Sequence, residues 1–263
     1  MLRHERLSAV VELVVSRGTL SVDEVSDVFE VSAATARRDL DDLAAQQLIT
    51  RTRGGAVAHT VSYDLPLRYK SSRRPDQKRR IAAAAAGLVE TGTVIGLNGG
   101  TTNTEVARSV ATRADLANST GSALASLTVV TNALNIAHEL AVRPTMKVVV
   151  IGGVLRPQSF ELIGPFARRV LDDVTIDLTF LGVDALDPDS GAAAAHEGEA
   201  QINSSMVERS RRVVAVADSS KLGQRAFCTI CDVGRIDTLI TDAGADDSLL
   251  ARFRDRGVEV VTV

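Results

Sequence analysis

Ser32-Ala33-Ala34-Thr35-Ala36-Arg37-Arg38-Asp39-Leu40 decides how the first quarter of this 263-residue chain reads. A hydroxyl residue opens the stretch, small side chains fill its first turn, and two arginines follow. Leu40, Leu43 and Ala44 then recur at three- and four-residue spacing. This pattern predicts a helix capped by Ser32 and running to about Gln47, slim at its N-terminal end. A helix of that kind can lay its first turns into a DNA major groove. There Ser or Thr touches phosphate or a thymine methyl, and Arg clamps phosphate or reads guanine.

The flanking sequence supplies the rest of a DNA-binding unit. Upstream, Leu7, Val10, Val11, Val14 and Val15 form one face of a helix over residues 3–17, stopped by Gly18. Ser21-Val22-Asp23-Glu24 is a capping box that opens a second helix with Val25, Val28 and Phe29 inward. Downstream, Leu48–Arg51 and Gly55–Ala58 read as short strands joined by Thr52-Arg53-Gly54. Three helices and a β-hairpin over residues 1–58 describe a winged helix-turn-helix. Its candidate DNA contacts are Ser32, Ala33, Thr35, Arg37 and Arg38 on the recognition helix, and Arg51 and Arg53 on the wing. Residues 1–58 hold seven arginines and nine acidic residues, so DNA binding must rest on a local cationic face rather than on net charge.

Residues 59–75, punctuated by Pro66 and Pro75 and carrying Arg68, Lys70, Arg73 and Arg74, read as a basic linker. From residue 76 to 263 apolar runs alternate with helical stretches. Strands are predicted at Val94–Leu97, Leu127–Thr131, Lys147–Ile151, Leu178–Val183, Val213–Ala217, Thr238–Thr241 and Val258–Val263, and helices at Gln77–Val89 and Gly198–Ser210. The fold class is α/β, a mostly parallel sheet covered on both faces and preceded by the winged helix-turn-helix. Thr112–Ser126, rich in Ala, Ser and Thr without a period, reads as a surface loop.

Strand ends in such a sheet gather along one edge, where ligands bind. Asn98-Gly99-Gly100-Thr101-Thr102 follows a strand and opens a helix, an arrangement whose free N–H groups favour an anion. It lacks the Gly-Lys-Ser/Thr of a Walker A loop and the spacing of G-x-G-x-x-G, which favours a small phosphorylated ligand over a nucleotide. The other candidate effector residues are Thr131, Asn132, Gly152, Gly153, Arg156, Asp184, Glu199 and Lys221. Lys221 would neutralise phosphate, and Asp184 and Asn98 would accept hydroxyls.

These segments together resemble the DeoR family of bacterial regulators over nearly the whole chain. The N-terminal signs are Glu5-Arg6-Leu7, Leu20–Glu24, Thr35-Ala36-Arg37-Arg38-Asp39-Leu40 and Arg53-Gly54-Gly55-Ala56-Val57. Asn98–Thr102, Val130-Thr131-Asn132, Ile151-Gly152-Gly153, Leu162–Pro165, Gly198-Glu199-Ala200 and Ala217–Lys221 continue the likeness. The resemblance implies a ribose-5-phosphate-isomerase-like, Rossmannoid effector domain, recognition-helix roles for Arg37 and Arg38, and a phosphorylated sugar or sugar derivative as effector. It also implies repression of carbohydrate genes. The family often has Asp where Asn98 stands and Gly where Ala185 follows Asp184.

Other classes fit less well. With 45% hydrophobic and 24% charged residues the composition is that of a globular protein, and no apolar run reaches the ~18 residues of a membrane span. A cytoplasmic location is expected, with no cofactor and no metal. A sugar-phosphate isomerase would need a placed base and a cation for the enediolate; Asp184, Glu197 and Glu199 offer carboxylates, but Ala192–Ala195 offer no charge. A redox-sensing regulator through Cys228 and Cys231 is the other alternative, although the pair sits in an extended apolar segment rather than at a helix start. Helix-turn-helix proteins bind two half-sites as symmetric assemblies, so a homodimer or homotetramer on double-stranded operator DNA is expected.

Overall fold

The computed structural model describes residues 2–46, 48–58, 67–70, 73–117 and 126–263. The chain divides into two compact units, the first ending at Arg73 and the second beginning at Arg74.

In the first unit α1 (Arg3–Arg17), β1 (Thr19–Ser21), α2 (Val22–Phe29), α3 (Ala33–Ala45), β2 (Ile49–Arg51) and β3 (Gly55–Ala58) follow one another, with the short α4 (Leu67–Lys70) beyond. The capping box forms as its sequence requires: Ser21 Oγ accepts from Glu24 N at 3.1 Å, and Glu24 Oε2 accepts from Ser21 N at 2.7 Å. Ser32 Oγ likewise accepts from Thr35 N at 3.2 Å. Each cap satisfies a helix-end amide and stabilises its helix by about 1 kcal/mol. Val10, Val11, Val14, Leu20, Val25, Leu40, Leu43 and Ile49 close a single core.

The sheet of this unit has three strands rather than the two of the sequence reading. Thr19–Ser21 pairs antiparallel with Gly55–Val57 on the far side from β2. The approach is close at Gly55, where a Cβ would lie 2.1 Å from Leu20 O, so only glycine fits. The expected linker contains the helical turn α4. Residues 59–66 and 71–72, the end of the third helix at Gln47, and residues 118–125 of the expected Thr112–Ser126 loop lie outside the described residues. The described part of that loop is not irregular, for Ala114–Ala117 is helical and Leu116 is buried.

The second unit contains α5 (Pro75–Gly87), β4 (Val94–Leu97), α6 (Thr101–Ala111), α7 (Ala114–Ala117), β5 (Leu127–Thr131), α8 (Leu134–Ala141), β6 (Met146–Val150), β7 (Val154–Arg156), β8 (Glu161–Ile163) and α9 (Pro165–Asp172). Then come β9 (Ile176–Leu181), β10 (Ala185–Asp187), β11 (Gly191–Ala194), α10 (Glu197–Glu208), β12 (Ser210–Val216), β13 (Cys228–Cys231), β14 (Thr238–Thr241), α11 (Asp247–Asp255) and β15 (Glu259–Thr262). Seven strands form one parallel sheet in the order β15-β14-β12-β9-β4-β5-β6. Alternation along β12 shows why it is covered twice. Val214 and Val216 enter the core beneath α5, α6 and α8, while Val213 and Ala215 enter the one formed with α10 and α11.

Two additions were not read from the sequence. The hairpin β7–β8 stands beyond the end of β6, and β10, β11 and β13 form a separate antiparallel sheet. Chain order reverses between β4 and β9, so the crevice of the sheet opens after Leu97 and Leu181.

Candidate functional site

The first unit sorts its arginines into two groups. Arg6 Nε donates to Asp39 Oδ2 at 2.6 Å, with Asp39 only 1% exposed, and this bond raises the Arg6 pKa further. Arg3 reaches Asp39 and Asp42, Arg17 lies 3.6 Å from Glu24, and Arg51 Nε lies 2.7 Å from Asp41. Arg51 also donates to Gly55 O, so it ties the wing to α3. Arg37, Arg38 and Arg53 are exposed and form no ion pair among the described residues. Asp39 thus anchors the buried side of the recognition helix, and its neighbours Arg37 and Arg38 stand outward.

The small residues need one adjustment. Ala33 packs against the core, and Ala34, which sequence reasoning passed over, is the exposed alanine of the first turn. Ser32 is exposed beside Thr35, their hydroxyls 2.9 Å apart. Only burial on the folded helix distinguishes positions 33 and 34, since both are alanine.

In the second unit the expected effector residues lie along the carboxyl ends of β4, β5, β9 and β12 and around the hairpin. At the crevice Asn98 is 2% exposed and joins its two walls: its Nδ2 donates to Gly182 O at 3.0 Å and its Oδ1 accepts from Gly182 N at 2.7 Å. Asn103 Nδ2 reinforces this clasp by donating to Asn98 O, Asn98 Oδ1 and Phe180 O. Asn98 therefore holds strand ends together rather than presenting a bare acceptor to a ligand.

Gly100 begins α6 with φ 110° and no side-chain cap. The backbone N–H groups at the start of this helix have no intrahelical acceptor, the condition that favours an anion. Thr101 and Thr102 are half-buried in that first turn.

Other candidates have local duties. Thr131 Oγ1 accepts from Ala133 N at 3.0 Å, and Asp184 Oδ2 accepts from Ala195 N at 3.0 Å. Gly152 and Gly153 have φ of 76° and 119°, and a Cβ at Gly153 would lie 2.7 Å from Ile163 O, so this pair shapes the hairpin root. Arg156 and Glu199, both buried, join at 3.1 Å and tie the hairpin to α10. Lys221, half-buried, follows β12, two strands from β4 and so about 10 Å along the edge.

Glu161 is the main residue the sequence reading missed. It is 4% exposed, accepts from Asn132 Nδ2 at 2.8 Å and lies against Gly99. The signal was a single acid amid Phe160, Leu162 and Ile163, five residues after Arg156, its hairpin partner. Among the described residues no group of three or more His, Cys, Asp or Glu is placed to hold a metal.

Comparison with known proteins accounts for both units. Residues 6–61 match the DeoR-like helix-turn-helix domain, and residues 73–243 match the DeoR C terminal sensor domain. This chain belongs to the DeoR family. It is 38% identical over 262 residues to the HTH-type transcriptional regulator GlpR of Haloferax volcanii, covering 99% of this chain and 98% of that protein. It is 33% identical to the uncharacterized HTH-type transcriptional regulator YulB of Bacillus subtilis, covering 100% of this chain and 98% of that one. With the glycerol-3-phosphate regulon repressor of Escherichia coli K12 it shares 29% identity over 99% of each.

Among solved structures, ribose 5-phosphate isomerase A of Methanocaldococcus jannaschii is 19% identical, with a TM-score of 0.42 over 56% of this chain and 54% of that one. A likeness at that level carries no inference about activity. As a DeoR-family member the chain is a DNA-binding transcription regulator. Among the described residues no helix is long and apolar enough to cross a membrane.

Proposed function

We propose that this DeoR-family protein represses carbohydrate genes by binding operator DNA through α3 and the β2–β3 wing. A phosphorylated sugar or sugar derivative at the edge of the parallel sheet changes that affinity. The observation that carries the DNA reading is the sorting of the arginines. Arg3, Arg6, Arg17 and Arg51 are matched to carboxylates, whereas Arg37, Arg38 and Arg53, without an ion-pair partner among the described residues, present charge at the two places a winged helix-turn-helix meets phosphate. Ser32 and Thr35 add hydroxyl contacts, and Ala34 lets the backbone come close.

The effector reading rests on the uncapped start of α6 at the switch point of the sheet, where Gly99, Gly100, Thr101 and Thr102 would take phosphate. Asn132, Asp184 and Lys221 stand along the same edge. The family supports a regulator over an isomerase. So does β11, whose Gly191–Ala194 side chains are buried and carry no titratable group, with Glu199 held by Arg156. The redox alternative is weakened because burial pushes the Cys231 thiol up to about 11, leaving little thiolate at neutral pH. We further propose a cytoplasmic homodimer or homotetramer that places two recognition helices on a two-fold operator, which sizing chromatography of the DNA-bound protein would check.

The direct test is fluorescence anisotropy of the full chain on labelled DNA from upstream of its own operon. The salt series is repeated with a panel of sugar phosphates. Sequence-preferring binding that weakens with salt, and that one sugar phosphate shifts, is the expected result. Absence of sequence preference in a folded sample would refute the DNA reading, and indifference to every sugar phosphate would refute the effector reading.

A further inference from the structure

Among the described residues ten large hydrophobic side chains stand exposed, and six of them gather around one edge of the second unit. Val150 ends β6, the last strand of the parallel sheet, and Val154 and Leu155 lie on β7, the outer strand of the hairpin. Phe160 closes the hairpin turn, and its carbonyl accepts from Leu134 N at 2.9 Å. Phe166, in the first turn of α9, is 68% exposed. Its neighbour Ala167 sits at the hairpin root, 3.1 Å from where a Cβ at Gly153 would lie.

Phe160 adds a conformational sign. Its φ of 59° lies in the left-handed region, which glycine adopts freely and a bulky side chain rarely does. An exposed aromatic ring kept in a strained conformation is a mark of use. The edge itself is open as well. Among the described residues β6 pairs only with β5 and β7 only with β8. Such an edge accepts another chain unless charge or proline blocks it.

The occupant follows from charge and area. From Val148 to Ala167 the charged residues are Arg156 and Glu161, both buried. Nucleic acid or a strongly charged protein would call for exposed charge here. A two-fold contact sets a surface against its own copy, so an exposed charge near the axis would meet its like, and this strip carries none. Half-exposed on average, the six side chains leave roughly 400 Å² of apolar surface in water. A standard interface takes about 800 Å² from each partner, about two-thirds of it apolar in homodimers. The patch thus supplies most of the apolar part of one face, and a second copy supplies the other.

We propose that this patch is the two-fold contact between subunits, the hairpin β7–β8 of one copy meeting the same surface of a second copy. This rests on the homo-oligomer proposed above and names the surface that builds it. The hairpin and its root also carry Gly152, Gly153 and Arg156, so the contact lies next to residues expected to hold the effector.

Sedimentation velocity of the full chain without DNA, over a concentration series, tests it. Wild-type protein should sediment at two or four times the mass of the chain. Leu155→Glu combined with Phe166→Glu should halve that mass, dimer to monomer or tetramer to dimer. Phe160→Gly should raise the dissociation constant about 30-fold or more, the loss of one central aromatic anchor. Glycine suits the backbone at that position, so this variant serves if the double variant fails to fold. Phe227→Glu, at the exposed ring just ahead of β13, should leave the mass unchanged. An assembly that survives the hairpin variants intact would overturn this surface while leaving the oligomer in place. Wild-type protein that is monomeric at every concentration would overturn the oligomer reading, and this surface with it.

Discussion

In the DNA-binding unit the charges along α3 and the wing sort to two sides: Asp39 and Arg6 close the inner side of α3, while Arg37, Arg38 and Arg53 stand in water. In the sensor unit polar side chains converge. Asn98, Asn103, Asn132 and Glu161, together with the Arg156–Glu199 pair, are buried at the ends of the strands. The contrast follows from the partners. DNA is a long polyanion that meets a surface, so exposed cations over an apolar core suffice, and rearranging them costs little. A small ligand must be enclosed, so its site needs fixed donors and acceptors whose removal disturbs the fold as well as binding. Loss of a contact residue should therefore uncouple binding from stability in the first unit and not in the second.

The largest effect should come from the Arg6–Asp39 pair, the most buried ion pair among the described residues of the DNA-binding unit. Asp39→Ala leaves Arg6 without its partner and should cost about 3–5 kcal/mol in urea unfolding of that unit. A loss under about 1 kcal/mol would show that the pair does not anchor α3. Arg37→Ala and Arg38→Ala should behave in the opposite way. Each should cost about 1–3 kcal/mol of DNA affinity or reduce the salt slope by about one, with stability within about 0.5 kcal/mol of wild type. Equal losses of stability and binding would erase the contrast.

In the sensor unit Asn98→Ala removes both bonds to Gly182 and should cost about 1–3 kcal/mol of stability even without a ligand. An unaltered melting temperature would contradict the clasp.

Acid sharpens the comparison further. Burial tends to raise Asp187 and Asp242, but hydrogen bonds from Ser190 and Asp189, and from Ser219 and Gly244, outweigh it and hold both carboxyls below the usual value. Groups with lowered folded pKa values stabilise fully above the unfolded value near 3.9, and that contribution is lost as pH falls through the folded values. The sensor unit should thus weaken below about pH 4, and Asp242→Asn should flatten that dependence in urea titrations at stepped pH. The smallest effect is expected at the thiols. Cys228→Ser with Cys231→Ser should leave DNA affinity unchanged under both oxidising and reducing conditions, and a redox-dependent shift in wild type alone would restore the sensor reading of that pair.

The units also differ in how plainly their sequences speak. The bounds of α1, α2 and α3 follow from caps and spacing within a few residues of each element, because Ser21, Glu24 and Ser32 act on their own helices. The whole of β4, β5 and β14 likewise coincides with the apolar runs read as strands. What stayed hidden depends on distant partners. Thr19–Ser21 becomes a strand only because Gly55 admits it, and Gly191–Ala194, a weak strand sequence, is held by Ala185–Asp187 and Cys228–Cys231. Arg51 looked like Arg53 until Asp41 and Gly55 O claimed it. Glu161 acquires meaning only when the hairpin folds onto Gly99.

On the proposed function, an effector held by the sensor unit alters the hold of the other unit on DNA. The most direct measurement is thermodynamic reciprocity in the full chain. The operator affinity is measured by anisotropy with and without the sugar phosphate that shifts it. The affinity of that sugar phosphate is then measured by calorimetry with and without operator DNA. The same ratio is expected from both experiments, about 5- to 150-fold as for ordinary allosteric coupling. A sugar phosphate that binds equally well in the presence and absence of operator would contradict it.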